Sequence, residues 1–381
     1  MTTKLYDIDS YMRSFTASVL ACEEANGGYA VVLDRTAFFP EEGGQTADGG
    51  TLGGARVLNV KLAEDSIVHY TDAPLAVGDT VAGEIFWEER FRKMQNHTAE
   101  HMLCGVCHRL WGCENVGFHL GSRDMTADFD RELTREQLME AERLVNEAIV
   151  ANVPVFAEYP ATDVLKEMTY RAKLALTEGV RIVTVEGVDA CACCAPHVSS
   201  TGQVGLLKVL DFIRYKGGVR VHLLAGYDAI EDYHRRYLHT AEIGMMLSAK
   251  QGEVVEAVAA LKTELEKTRY ALGGANRRIM ALEAAAVAPV AGNLVHFTEE
   301  TDLGMLRECA NLLVEKCGGI CAVFGGEEGR YRYVMTSRTV NMRDEVKKIN
   351  AALSGKGGGD AEMVQGSVSA DRATVTAYFE K

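Results

Sequence analysis

Between residues 11 and 87 the chain alternates short apolar runs with turns rich in Gly and Asp, the runs falling at 15–21, 29–33, 55–62 and 66–70. Strands of that length at such spacing predict a small β-barrel. At Phe91 the apolar period becomes helical and holds to Trp111. Residues 116–121 and 125–130 then read as two paired strands, and 133–151 as a helix with Thr134 as its cap. A further helix is expected from residue 161, capped by Thr162, and strands at 181–188, 205–213 and 219–224.

From 229 to 285 the chain reads as almost one helix. Val254, Val258, Leu261, Leu265, Thr268, Leu272, Ala275, Ile279 and Leu282 step by four and three in turn, a heptad seam that Gly273 and Gly274 should interrupt. Such a stripe should pack in a helical hairpin or across a dimer axis. Beyond 291 lies a separate α/β unit with helices at 306–317 and 342–353 and strands at 319–325 and 331–338. It continues into the glycine-rich segment 355–366, where Gly357, Gly358 and Gly359 beside Lys356 would offer backbone N–H groups to a phosphate. The fold class that follows is α+β in four parts: a β-barrel at 1–90, an α+β domain at 91–226, a coiled-coil-like helical linker at 227–288 and a C-terminal α/β domain at 289–381.

Composition changes this picture little. A chain of 381 residues, 47% hydrophobic and 25% charged, can bury several cores. No apolar run approaches the ~18 residues of a membrane span, and the first residues lack a secretory apolar region. The expected compartment is therefore the cytoplasm, and the ten cysteines are expected as thiols. A net charge of −14 argues against indiscriminate nucleic-acid binding but leaves room for local basic patches.

Candidate chemistry changes it more. His97 and His101 stand four residues apart in a helical stretch, so both imidazoles can reach one ion. Cys193 and His197 repeat the spacing a hundred residues on. Three imidazoles and a thiolate form a ligand set that zinc accepts in tetrahedral geometry. Cys191 and Cys194 offer alternative sulfurs, although the register to His197 favours Cys193. Glu100, one residue before a candidate ligand, would orient an imidazole or move a proton. Between the second and third apolar runs, the segment 36–50 is rich enough in glycine to bring backbone close to a ligand.

Taken in order, Phe38-Phe-Pro-Glu-Glu-Gly-Gly-Gln45, His97-Thr-Ala-Glu-His101, Cys193 through His197, and the glycine segment 357–365 resemble the motifs of the alanyl-tRNA editing proteins in their long form. These are free-standing relatives of the alanyl-tRNA synthetase editing domain, and the resemblance covers nearly the whole chain. It implies a zinc-dependent hydrolase that removes serine, with glycine as a second candidate, from mischarged tRNA(Ala). His97, His101, Cys193 and His197 would be the zinc ligands. Gln45 with its glycines would form a wall of the pocket, and Thr36 would sense the serine hydroxyl. An acidic protein that holds tRNA should collect cations, here Arg214, Lys216 and Arg220 near the catalytic domain and Lys347, Lys348 and Lys356 beside the C-terminal glycines. A homodimer through the helical linker or the C-terminal domain is a further expected partner.

Two rival readings stand beside this one. His97-Thr-Ala-Glu100-His101 fits the inverted zincin pattern, in which Glu100 would be the base of a peptidase and a distant acid such as Glu178 the third ligand. Alternatively the zinc is structural, and the chain is an RNA-binding module without chemistry.

Overall fold

The computed structural model describes residues 2–25, 27–64, 66–121, 125–172 and 179–380. They fall into two compact units, Met1–Glu242 and Ile243–Lys381.

Beside a small sheet of Thr3–Lys4 and Arg35–Thr36, six strands of the first unit belong together: β1 (Ser14–Ala25), β2 (Gly28–Leu33), β3 (Gly50–Leu52), β4 (Ala55–Ala63), β5 (Ser66–Thr71) and β6 (Thr80–Ile85). They close into a barrel in the order β1-β2-β5-β4-β3-β6. Alternation drives the closure: Phe15, Ala17 and Val19 of β1 turn inward and their neighbours face out, so one face fills the barrel with Val31, Leu33, Leu52, Val60 and Ile67. Register shifts at Val19/Ala21 and Val57/Asn59 add the local bend that a small barrel needs.

Helix α1 (Trp87–Trp111) follows and is buried without a break from Lys93 to Cys107. A helix enclosed on all sides belongs to a domain centre, and here two sheets wrap it. One runs in the order Leu207–Tyr215, Gly218–Ala225, Met125–Phe129, Asn115–Leu120; the other pairs Val155–Glu158, Ile182–Val185 and Asp189–Ala192. Gly112, left-handed at φ 61°, ends α1. The capping box of Thr134 and Gln137 starts helix α2 (Arg135–Ala151). The expected cap at Thr162 is not formed. Thr162 is the first residue of the short helix Thr162–Glu167, and Ala161 stands at the cap position with no side-chain bond.

A buried ion pair ties the loop between β2 and β3 to α1. Arg90, fully buried, grips Asp48, and it also donates to the Ala37 carbonyl at 2.6 Å and the Ser10 carbonyl at 3.1 Å. Asp48 in turn accepts the Phe39 amide at 2.6 Å. Both ends of the segment 37–48 are thus fastened to the start of the helix.

Residues 229–285 are not one helix. Helix α3 (Gly226–Met246) ends before Ser248, which is left-handed at φ 52°, and a 3-10 turn at Gln251–Glu253 leads into helix α4 (Val254–Ala286). The break comes at this turn, and α4 runs unbroken through Gly273 and Gly274, because glycine weakens a helix by only about 1 kcal/mol per residue. In the second unit a five-stranded sheet has the order Leu294–Thr298, Ile320–Gly325, Tyr331–Ser337, Met363–Val368, Gly355–Gly359. Helices Leu303–Leu313, Met342–Ala352 and Arg372–Phe379 cover it.

The glycine segment is also corrected. Gly355–Gly359 is an edge strand, paired antiparallel with Met363–Val368, and none of its glycines has a positive φ. A phosphate-cradling nest needs alternating right- and left-handed residues, which an extended strand lacks. Bare Cα atoms serve close packing here instead. A side chain at Gly357 would run into the Tyr333 hydroxyl and the Gln365 carbonyl.

Candidate metal centre

Helix α1 places His97 and His101 one turn apart on one face, with ring centroids 5.3 Å apart. The strand Asp189–Ala192 delivers the loop that carries Cys193 and His197. Buried Arg181 shapes this loop by donating to the carbonyls of Cys193 at 3.0 Å and Ala195 at 2.9 Å. The His197 ring comes to 4.9 Å from that of His97 and 4.6 Å from that of His101. Ligand atoms of His97, His101, Cys193 and His197 all lie within 4.8 Å of one another. The Cys193 sulfur stands 3.4 Å from His197 Nε2 and 3.7 Å from His97 Nε2. Both values bracket the edge of about 3.6 Å expected between nitrogen and sulfur on a tetrahedral zinc. The four side chains can hold a metal ion.

Each imidazole is aimed from behind. His97 Nδ1 donates to Gln45 Oε1 at 2.8 Å, and His197 Nδ1 donates to Thr98 Oγ1 at 3.0 Å. Thr98 is an acceptor there because its own proton goes to the Met94 carbonyl at 2.8 Å. His101 Nδ1 lies 3.5 Å from Asp189 Oδ2, an ion-pair distance rather than a hydrogen bond. With every Nδ1 turned outward, the Nε2 lone pairs converge, the arrangement by which outer groups tune metal ligands. Burial holds His197 neutral, well below its ordinary value, and His101 and His97 add to that. Burial also pushes the Cys193 thiol up, so a thiolate here needs a cation beside it.

Asp189, Thr98, Arg171 and Arg181 were not singled out by sequence reasoning. Asp189 opens the cysteine stretch and could have been noticed as an acid four residues from a candidate ligand. Burial would raise its pKa, yet the fork from Arg171 at 2.7 and 2.8 Å and the neighbouring His101 bring it down to about 2. Thr98 and Arg171 carry no local pattern.

A cleft of about 590 Å³ opens over the cluster, lined among others by Gly43, Gly44, His97, Glu100, His101, Asn115 and Phe118. Gly43 and Gly44 are left-handed at φ 62° and 84°, and a side chain at Gly44 would strike the Phe118 carbonyl. The Gly44 carbonyl accepts the Leu120 amide at 2.9 Å, which joins the loop to the strand Asn115–Leu120. Gln45 stands behind His97 rather than in the wall of this cleft. Glu100 lines the cleft but touches no imidazole; its Oε1 accepts from Asn115 Nδ2 at 2.7 Å and Cys104 Sγ at 3.3 Å. The orienting carboxylate is Asp189 instead. Cys191 and Cys194 line the cleft outside the group of four, Cys191 grouping with His101 and Asp189.

Thr36 is fully buried beside the barrel, not on an open loop. His69 Nδ1 donates to the Val31 carbonyl at 3.2 Å, and burial brings the His69 pKa down to about 4. His69 Nε2 is therefore an acceptor, and the Thr36 hydroxyl donates to it at 2.8 Å while accepting the Phe38 amide at 3.1 Å. Glu178 lies outside the described residues.

Of the cations, Arg214, Lys216 and Arg220 share the hairpin of Leu207–Tyr215 and Gly218–Ala225. Arg220 is forked onto Asp128 at 2.6 and 2.7 Å, and Arg214 lies 3.2 Å from Glu132. Lys216 reaches over the Tyr215 ring. In the second unit Lys348 bonds Glu345 at 2.8 Å, whereas Lys347 and Lys356 are exposed. Among the described residues no helix is long and apolar enough to cross a membrane.

Fold and cluster together define a mixed α+β protein with a buried His/Cys metal-site candidate. Residues 180–224 match the family described as the threonyl and alanyl tRNA synthetase second additional domain, and residues 285–375 match the DHHA1 domain. The alanyl-tRNA editing protein Aarsd1 of Danio rerio is 28% identical over 98% of this chain and 96% of its own length. The alanyl-tRNA editing protein AlaX-L of Pyrococcus horikoshii is 27% identical over 97% of this chain and 95% of its own. The chain is thus a homologue of the alanyl-tRNA editing proteins along nearly its full length. It also matches the alanine–tRNA ligase of Ignicoccus hospitalis at 28% identity, spanning only 42% of that protein. The solved C-Ala domain of Aquifex aeolicus alanyl-tRNA synthetase matches over 25% of this chain and 93% of its own at 20% identity, with a TM-score of 0.21.

Proposed function

We propose that the chain is a trans-editing hydrolase that cleaves the ester of seryl-tRNA(Ala), with glycyl-tRNA(Ala) as a second substrate, using zinc held by His97, His101, Cys193 and His197. The observation that carries the reading is the convergence of these four side chains under a glycine-walled cleft, in a chain homologous end to end with alanyl-tRNA editing proteins.

Zinc bound there would supply Lewis acidity to the ester or to an attacking water. The chain's own residues do the rest. Gln45, Thr98 and Asp189 fix the three imidazoles, and Arg181 fixes the loop of Cys193. Gly43 and Gly44 let the substrate pass close to backbone. Glu100, which lines the cleft beside His97 and His101 along with Glu42, moves the proton to the leaving ribose oxygen. Thr36 retains one lone pair after its bonds to His69 and Phe38, enough to accept from a serine hydroxyl. Arg214, Lys216 and Arg220, and Lys347, Lys348 and Lys356 of the second unit, serve the tRNA backbone. The cytoplasm, where tRNA is charged, is the compartment this reading assigns.

The test presents seryl-, glycyl- and alanyl-tRNA(Ala) to the protein with and without chelator and follows loss of the ester. Rapid, chelator-sensitive loss of the seryl ester is expected, with the alanyl ester spared. Full activity after complete metal removal overturns the zinc reading, and no loss of any ester overturns the hydrolase. The peptidase alternative is disfavoured because it leaves Cys193 and His197 without a purpose.

A further inference from the structure

The cleft over the metal centre holds a second carboxylate besides Glu100, and the chain gives it little to do. Glu42 lines the cleft with Lys4, Glu100, Arg171 and Arg181. Arg171 is forked onto Asp189, Arg181 holds the Cys193 and Ala195 carbonyls, and Glu100 accepts from Asn115 and Cys104. Glu42 has no comparable commitment. Its Oε2 is buried without a hydrogen-bond partner, and the polar side chain beside it is the Cys194 thiol, a weak donor. The residue as a whole stays partly exposed, and the cleft is where it is open. An anion drawn out of water on one side and given no donor there gains most from a cation on its open side.

Backbone geometry fixes this carboxylate relative to the imidazoles. The Glu42 amide donates to the Gln45 carbonyl at 3.2 Å, and the Gln45 amide returns a bond to the Glu42 carbonyl at 3.0 Å. Gly43 and Gly44 between them are both left-handed, as a two-residue turn of type I′ requires. Gln45 is the residue that holds His97 from behind, and a side chain at Gly43 would meet the Cys194 sulfur at 3.8 Å. One tight turn therefore separates the carboxylate from the group that aims a metal-ligand candidate.

Substrate chemistry names the cation. An aminoacyl ester of tRNA carries many phosphates but a single positive group, the α-ammonium beside the carbonyl under attack. It offers three donors to a carboxylate. On the reading of this cleft as an aminoacyl-ester site, we infer that Glu42 binds the α-ammonium of the aminoacyl group and restricts the substrates to esters whose amino group is free. N-acylated esters, peptidyl-tRNA among them, lack the charge and are spared.

Binding and cleavage are measured separately, so that this inference and the hydrolase reading can fail apart. The binding probe is an adenosine with serine amide-linked at the ribose, which resists cleavage, set against its des-amino counterpart. Calorimetry is run at about pH 6.5, below the α-amino pKa of about 7.7. The native protein should prefer the amine-bearing probe roughly 10- to 100-fold, the range of a hydrogen bond to a charged group. Glu42→Gln keeps the shape and the turn, and should reduce that preference to roughly threefold or less with metal content unchanged. Lys4→Met should leave the preference in place. In hydrolysis, the native protein should cleave seryl-tRNA(Ala) and spare N-acetylseryl-tRNA(Ala), and Glu42→Gln should slow the seryl ester without slowing its des-amino analogue. Equal binding of the two probes, a preference that survives Glu42→Gln or vanishes in Lys4→Met, equal cleavage of free and N-acetylated esters, or an equal fall on both esters in Glu42→Gln would each overturn the inference and leave the hydrolase standing. A Glu42-dependent preference with no loss of any ester would support the ammonium site and overturn the hydrolase.

Discussion

Two glycine-rich stretches of this chain look alike in sequence and do opposite things. Gly43 and Gly44 sit at left-handed φ values under the cleft, held down where Arg90 and Asp48 pin their loop to α1. Gly357, Gly358 and Gly359 are extended, at the exposed edge of a sheet, where two of them admit a neighbouring backbone and the third meets nothing. Missing side chains permit both conformations. What separates them is what fastens each end of the stretch, and that is tertiary. A run of glycines therefore predicts close approach of backbone, but not whether a ligand or a strand is what approaches.

The comparison gives the cleft glycines their meaning through the cluster beneath them, so the harshest way to break it is to remove the cluster. Cys193→Ser should strip the bound metal and lower ester hydrolysis by roughly 10³-fold, the several kcal/mol expected of Lewis-acid stabilisation. Cys191→Ser and Cys194→Ser should keep the metal. Metal content by atomic emission, with deacylation of seryl-tRNA(Ala), reads both; a metal-replete Cys193→Ser would move the ligand to Cys191 or Cys194.

The next experiment exchanges one glycine from each stretch. Gly44→Ala forces a methyl into the Phe118 carbonyl at a φ that L-residues avoid, a strain of about 1–3 kcal/mol placed in the cleft wall. Hydrolysis should fall roughly 10- to 100-fold with metal retained. Gly358→Ala meets nothing within 4 Å and has no positive φ, so its unfolding free energy should change by no more than about 0.5 kcal/mol. If Gly358→Ala instead weakened tRNA binding strongly, the strand would be a nucleic-acid surface rather than packing.

Much of the cluster was legible because its residue types stand close in sequence: His97 and His101 share a helix turn, Cys193 and His197 share one loop at the same spacing, and the structure brings all four together. Of the groups that aim them, Gln45 was expected as a pocket wall rather than behind His97, and Thr98 and Asp189 were not expected at all, since each reaches its imidazole from a separate element. The fold divides in the same way. Strand runs follow period-two alternation, whereas the break at Ser248 and the continuity of α4 through Gly273 and Gly274 depend on turn geometry and packing that no window of sequence reports.

Those aiming groups sharpen the contrast at a smaller scale. Asp189→Asn keeps shape but removes the charge beside His101, and it leaves Arg171 without its anion. Metal affinity should drop roughly 10- to 100-fold, with Gln45→Leu at the lower end of that range. Competition against a chromophoric chelator measures both. Unchanged affinity in Asp189→Asn would assign the acid to holding Arg171 alone.

The smallest expected effect concerns Thr36, which is fully buried beside the barrel and is not among the residues that line the cleft. Its proton is committed to His69 Nε2 and one lone pair to the Phe38 amide, which leaves a single acceptor site. Thr36→Val preserves shape, abolishes both bonds, and strands a buried imidazole nitrogen and an amide. A loss of about 1–3 kcal/mol in unfolding free energy is therefore expected whatever the substrate. Discrimination is the separate question. If the remaining lone pair accepts the serine hydroxyl, kcat/KM on seryl-tRNA(Ala) should fall roughly tenfold, the ~1.4 kcal/mol of one hydrogen bond, while the slow rate on the alanyl ester stays level. Thr36→Ser, which keeps the oxygen, should restore the ratio. Equal losses on both esters, tracking the loss of stability, would make Thr36 a barrel residue only and leave the sensing of the hydroxyl to the metal centre.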